Sequence, residues 1–510
     1  MKYKIIFSIA FFSFLMLRCT KLDETLRGDL TFPQAQEITD VGALLKSSYN
    51  GLRTFQSNDD IWSLQTLTTD EGIPPTRAGD WDDNGAWRAL YSHIWTGENV
   101  HVQSSFNNLL GVVFSTTNLL NFNPTPQQAA EARFIRAFVM FTVLDNWNQV
   151  PFRQPGENLL NPPQVLKGTE ALDFIIAELN EILNDLPDNV PAYTANKNAA
   201  RTLLMKCFLN KGTFANRESP SFDAADMGQV ITLADQIISS GEYDLSDNFF
   251  DNFAPNNNVI SKELIFTELN VADVEGGNVR FQVHAPGHYN ENPGGWNGFT
   301  TLSDFYDKFE ASDTRRGGSY PGITDKTGWP VGFRIGQQYD QNGVPRKDRL
   351  GNPLAFTREV KLIESGANLE VTGIRVGKYL PDYKSDYSSD RDQAGNDYVL
   401  LRYADVLLMK AEALLRTAKD ADALTVVNDL RAKRGASALE SLDLDKMLDE
   451  RGREMYWEGW RREDLIRFGK YLDPVQERPS ASDPTYLLFP IPGSALAVNP
   501  NLEQNPGYSN

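Results

Sequence analysis

"LLRYADVLLMKAEALLRTAKDADALTVVNDLRAKRG", Leu400 to Gly435, decides how the rest of the chain is read. Leu400, Ala404, Leu407, Ala411 and Leu414 recur at steps of four and three, the spacing that lines one face of a helix. Alanines within that face let a neighbouring helix approach closely. The polar break "TAKDAD" offers N-caps to a second helix, "ALTVVNDLRAKRG", which Gly435 can stop. The stretch reads as a helical hairpin.

The same pattern occurs upstream. "AARTLLMKCFLN" precedes "GQVITLADQIISSGEYDL", and "EARFIRAFVMFTVLDNW" precedes "GTEALDFIIAELNEILNDLP". "VGALLKSSYNGLR" goes with a helical stretch near Asn99–Leu120. Four pairs with small residues at the crossings read like divergent tetratricopeptide-type repeats, placed within about 35–243 and 398–436. Residues 244–395 differ: "HAPGHYNENPGGWNGF" and "YPGITDKTGWPVGFRIGQQYDQNGVP" are rich in Gly, Pro, Asn and aromatics, which favours short strands and long loops. Residues 437–510 add a charge-dense helix and an extended tail. No linker separates these styles, so the expected fold is mainly α. It is a helical-repeat scaffold with a loop-rich half packed on it, in one domain running from residue 19 to 510.

Composition narrows the function. The 510 residues carry 68 Asp and Glu against 49 Lys and Arg, a net charge of −19. Binding nucleic-acid phosphates or anionic lipid needs clustered basic residues, and no basic run occurs. The chain opens "MKYKIIFSIAFFSFLMLRC", two lysines before a short apolar run, as in a signal peptide of residues 1–18. Cys19 then stands where bacterial lipoproteins are acylated, although Arg18 occupies a site where a small residue is usual. The acidic "LDE" that follows resembles a cell-surface export signal. Cys207, in a helical run, reads as a buried apolar residue.

Catalytic motifs are missing: there is no phosphate-binding glycine loop, no GxSxG elbow and no CxxC pair. His284 and His288 are four apart, but Pro286 and Gly287 between them prevent a helical ligand face, and no metal or cofactor is expected. "DWDD" is oxygen-rich without an EF-hand pattern. In "LDERGREMYWEGWRREDLIRFGKY", the pairs Arg451–Glu454, Glu458–Arg462 and Asp464–Arg467 fall at helical spacings, so this reads as an ion-paired helix with its aromatic side inward.

"EARFIRAFVMFTVLDNWNQVPF", "LLRYADVLLMKAEALL", "VNDLRAKRGA", "DERGREMYWEGWRREDLIRFG" and "LLFPIPGSALAVNPNLEQNPGY" together resemble, in order, the SusD/RagB family of nutrient-binding outer-membrane lipoproteins. The resemblance implies four tetratricopeptide-like helix pairs supporting a variable loop-rich half. It implies a lid on a TonB-dependent, SusC-like outer-membrane barrel, lipid anchoring at Cys19 on the cell exterior, and glycan binding without cleavage. A peptide- or protein-binding repeat lipoprotein is the alternative reading, and a glycosidase a further one.

Within this frame "TTDEGIPPTRAGDWDDNGAW", Thr68–Trp87, gains a meaning. A sugar presents an apolar C–H face, which an indole covers, and a rim of hydroxyls that Asp, Asn and Arg serve. This loop supplies Asp70, Arg77, Trp81, Asp82 and Asn84 as candidates. "HYNENPGGWNG" supplies Tyr289, Asn292 and Trp296, and Trp296 falls where the starch-binding member of the family has a binding-site tryptophan. Trp87, at a helix start, is expected to pack inward.

Overall fold

A computed structural model describes residues 32–272, 274, 279–382 and 394–509. The leader and Cys19 lie outside the described residues. Two units separate by contact, 1–40 and 41–510. The described part of the first contains one helix, Phe32–Ile38. No helix among the described residues is long and apolar enough to cross a membrane.

The second unit holds eight repeat helices: α1 (Val41–Asn50), α2 (Val100–Leu119), α3 (Pro126–Trp147), α4 (Gly168–Ile182), α5 (Lys197–Ala215), α6 (Ala224–Ser240), α7 (Tyr403–Arg416) and α8 (Asp420–Lys433). Each packs on the next in chain order. Helix α6 packs on α7 although residues 241–402 intervene, so the loop-rich region is an insertion into one continuous helical stack. This is the tetratricopeptide-like scaffold that the apolar spacing predicted.

Local chemistry fixes the helix ends. Asn99 accepts from the His101 and Val102 amides to start α2. Thr125 and Gln128 form a reciprocal capping box around Pro126 at the start of α3. Gly241 and Gly435, at φ of 69° each, take the left-handed turn after α6 and α8. Two expectations need correction. Lys419 is the N-cap of α8, without a side-chain cap, and its Asp residues sit inside the first turn. Leu400 belongs to a strand, β6 (Tyr398–Arg402), which pairs antiparallel with β3 (Leu264–Glu268).

Other short strands are β1 (Gln149–Phe152) with β2 (Gln164–Lys167), and β4 (Val331–Arg334) with β5 (Arg375–Gly377), besides several two-residue strands. The charge-dense stretch forms two helices, α9 (Leu444–Met455) and α10 (Arg461–Arg467). Positive φ at Trp457 (59°) and Gly459 (78°) separates them. Of the three expected helical pairs only Asp464–Arg467 forms, at 2.6 Å. Arg451 instead reaches Asp405 and Asp464, and Arg462 lies 3.5 Å from Asp145.

These charges are buried. Glu454 accepts from Arg402, Arg434 and Arg315, while Glu450 accepts from Arg315, Arg431 and Arg453. Glu458 takes Arg402 and Lys378. Helix α9 thus carries carboxylates inward to guanidiniums from β6, from α8 and its C-cap, and from the insertion, and fastens the loop-rich half to the repeats. Buried charge is tolerated only when every charge is matched, as here.

Candidate functional site

Two loops that are far apart in sequence lie against one another. The first leaves a strap in which Ile73 bridges Thr300 and Thr76–Arg77 runs parallel to Ile363–Glu364. A tight turn follows, with reciprocal backbone bonds between Arg77 and Asp80 of 2.9 and 3.1 Å. Ala78, Gly79, Trp81, Asp83, Asn84 and Gly85 all have positive φ. Outside glycine such backbone is costly and persists only where surrounding contacts enforce it.

Those contacts come from the second loop, His284–Phe299. It is closed by backbone bonds from Trp296 to His284, Gly298 to Ala285 and Asn297 to Gly287. Gly295 is required there: a Cβ would stand 2.1 Å from the Gly287 carbonyl carbon.

Trp81 joins the loops. Its indole N–H donates to the Trp296 carbonyl at 2.9 Å, and its ring packs 4.7 Å from Phe299. Gly298 permits this, because a Cβ there would lie 2.5 Å from the indole. Trp296 stacks on His284 at 5.2 Å and is partly buried. Tyr289 is also partly buried and donates its hydroxyl to exposed Asp80 at 2.9 Å. Burial first, and then that carboxylate, push the Tyr289 hydroxyl up to about 12. Asn84 and Asn292 are exposed, whereas Asp82 pairs with Arg88. Trp87 is buried, as expected, and stacks on His101 at 3.7 Å.

Two expected hydroxyl-binding residues are committed elsewhere. Asp70 forms a bidentate pair with Arg461, both contacts 2.7 Å. Burial alone would raise the Asp70 carboxyl, but the Arg461 guanidinium overrides it and holds it low. Arg77 is buried and donates to the carbonyls of Asn297, Gly298 and Thr372 at 2.7–2.8 Å. Desolvation lowers it to about 10. It clamps three segments together and presents no free edge. Sequence spacing could not show this, because its acceptors, three backbone carbonyls and the Thr372 hydroxyl, lie more than 200 residues away.

The two histidine rings are engaged with the loops around them. His284 Nδ1 donates to Gly294 and His288 Nε2 to Glu370, and no His, Cys, Asp or Glu cluster among the described residues suits a metal. Cys207 is buried. Three side chains went unnoticed in the sequence: Asp80, Arg349 and Glu370 surround Tyr289. Arg349 and Glu370 arrive from a hairpin and a turn in the insertion, and no local motif marks them.

A helical-repeat stack carrying a rigid, aromatic, loop-built face is the class of protein defined here. The SusD family model matches residues 262–508. The starch-binding protein SusD of Bacteroides thetaiotaomicron is 27% identical over 425 residues, covering 75% of this chain and 73% of that one. SusD-like protein P2 of Formosa agariphila is 24% identical over 99% of this chain and 100% of its own. Among solved structures, a laminarin-binding SusD-like protein superposes with a TM-score of 0.71 at 18% identity, covering 92% of this chain and 99% of its own. A SusD superfamily protein from Parabacteroides distasonis gives 0.71 at 19% identity, over 94% and 100%. Residues 262–508 thus match the SusD family, and the chain as a whole resembles SusD proteins in sequence and in fold.

Proposed function

We propose that this chain is a non-catalytic, surface-exposed lipoprotein, anchored at Cys19. It binds an oligosaccharide or polysaccharide and delivers it to a TonB-dependent, SusC-like outer-membrane barrel. The observation that carries the binding step is the meeting of Trp81 and Trp296 in one locked pair of loops, with Tyr289, Asn84 and Asn292 beside them. Partly exposed aromatics cover sugar C–H faces, and the amides serve hydroxyls. Asp82 shapes the rim through Arg88. Relatives named for starch and laminarin binding support a glycan ligand. One domain spanning residues 19–510 suits this role, because the stack holds the loops rigid.

Delivery requires a second surface. From Asn99 to Ala130 the chain has no Asp, Glu, Lys or Arg, although 23% of its residues are charged. Exposed Phe114 on α2 borders a groove of about 190 Å³ that reaches Leu159, and Leu159, Leu160 and Val498 line an adjoining groove of about 770 Å³. Interface cores are depleted in charge, and exposed apolar patches mark partner contacts. This face supports a permanent protein partner; its charged groups are Arg153 and Glu157, and a single arginine falls short of the basic cluster that a lipid surface needs.

Affinity gels loaded with individual polysaccharides, followed by calorimetry on the retained one, test the binding step. Capture ahead of transport needs release, so affinity between about 1 μM and 1 mM, roughly −8 to −4 kcal/mol, is expected. Release of reducing ends from a retained polysaccharide would instead establish a glycosidase.

A further inference from the structure

Resting on the glycan-binding reading of this site, we propose that Arg349 is a ligand-contacting, specificity-determining residue. With Asp80 it forms a donor–acceptor pair across Tyr289 that takes an uncharged vicinal diol of a neutral sugar. Arg349 comes from the hairpin that follows β4, outside both aromatic loops. Its guanidinium carbon lies 3.9 Å from the Tyr289 ring centre, close enough for cation–π attraction. Its Nε donates to Glu370 Oε1 at 2.5 Å, and its backbone N–H to Glu370 Oε2 at 3.2 Å.

Glu370 is itself held. Buried His288 accepts the Asn290 amide on Nδ1 at 3.1 Å and faces Glu370 Oε2 through Nε2 at 3.0 Å. These partners assign a neutral ring with its proton on Nε2. A chain of contacts from His288 through Glu370 therefore fixes a guanidinium that is 51% exposed. Its two Nη groups make no hydrogen bond among the described residues, and neither does Asp80 Oδ1.

A fixed guanidinium with a free Nη edge is a two-pronged donor, while Asp80 Oδ1 is only an acceptor. Sugar hydroxyls both donate and accept, so an adjacent pair satisfies both groups. A uronate or sulfate would satisfy Arg349 alone and bring a second anion to Asp80. The surrounding charge gives an anion no net reward. Tyr289 lies among Asp80, Glu370 and Arg349, with Arg77 and Arg375 beyond it; Arg77 in turn faces Glu364, and Arg375 faces Glu291 and Arg334. Arg77, Arg334 and Arg375 are buried, so Arg349 supplies the guanidinium edge a ligand can reach.

The test uses the full mature chain and a panel of maltoheptaose, laminarihexaose and xylohexaose set against oligogalacturonate and sulfated galactan oligosaccharides. The wild-type chain is expected to bind a neutral member and no acidic one. Arg349→Met should weaken that binding about tenfold, the reading of one lost charge-assisted hydrogen bond. Asp80→Asn should also weaken it while admitting acidic oligosaccharides. Circular dichroism melts of both variants should match the wild type, separating ligand contact from folding.

Unchanged affinity in Arg349→Met, while Trp296→Ala abolishes binding, overturns the proposal and leaves the site in place. Unchanged affinity in both variants removes the site itself. Wild-type binding of acidic members only, or of none of the neutral ones, overturns the assignment of an uncharged ligand.

Discussion

Trp81 does two jobs, and its neighbours allow them to be separated. Replacing it with alanine removes apolar surface worth about 1–3 kcal/mol, a 5- to 150-fold loss of glycan affinity. It also frees the Trp296 carbonyl and uncovers Phe299, so the thermal midpoint should fall as well. Gly298→Ala leaves both tryptophans in the sequence but puts a methyl group where the indole lies. Calorimetry should show that this variant binds poorly; wild-type affinity would mean that the Trp81 position is irrelevant to the ligand. Asp70→Ala belongs to a different class. It strands the buried Arg461 guanidinium, and breaking such a pair costs about 3–5 kcal/mol. Urea unfolding should report that loss, with glycan affinity preserved under folding conditions.

At the scale of elements, α9 dictates how the protein responds to pH. Burial pushes the carboxyls of Glu450, and of its neighbours Asp405 and Glu412, upward, but surrounding cations override it and hold each near 2. Depressed carboxyls stabilise the fold above their ordinary values near 4, and that stabilisation is lost as pH falls toward 2. Each Glu contributes about 3 kcal/mol at about 1.4 kcal/mol per pH unit. Glu71, on the strap before the first loop, behaves oppositely. Burial raises its carboxyl to about 8, so its contribution is fully present below about 4.5 and is lost as pH rises through 8. Thermal midpoints should therefore peak near pH 5–6 and decline on both sides. Glu71→Gln should flatten the alkaline decline alone; an unchanged alkaline limb would show that Glu71 does not control it.

For the whole molecule, the stack and the insertion separate two surfaces that can be broken independently. Phe114→Lys with Leu160→Lys puts charge at two exposed apolar positions of this face without touching the aromatic loops. Pull-down from detergent-solubilised membranes should lose the barrel partner while glycan affinity stays intact. Recovery of the barrel at wild-type yield would move the interface elsewhere. If Cys19 is acylated as proposed, Cys19→Ala should shift the chain from the membrane fraction to the soluble exported fraction when the barrel is deleted. Persistent membrane association would exclude acylation at Cys19.

Apolar spacing at 3.6-residue period determined the helix pairs, because a helix must bury one stripe whatever lies beyond it. Alanines at the crossings and the capping residues at Asn99, Thr125 and Gly435 are local signals of the same kind. The aromatic loops were legible as loops from their Gly and Pro, but not the fate of each indole: Trp87 and Trp329 are core, whereas Trp81 and Trp296 are only partly buried. Tertiary structure alone decided the partners. Asp70 and Arg77 carry the residue types of a sugar site, yet Arg461 takes one and three backbone carbonyls take the other. Glu454 was spaced for Arg451 and went to Arg402, Arg434 and Arg315. The reason is that a helix fixes which residues share a face by local geometry, whereas a buried charge is matched by whatever the fold brings within 3 Å. Arg349 reaches Tyr289 in the same way, from a hairpin that no pattern in the chain connects to it.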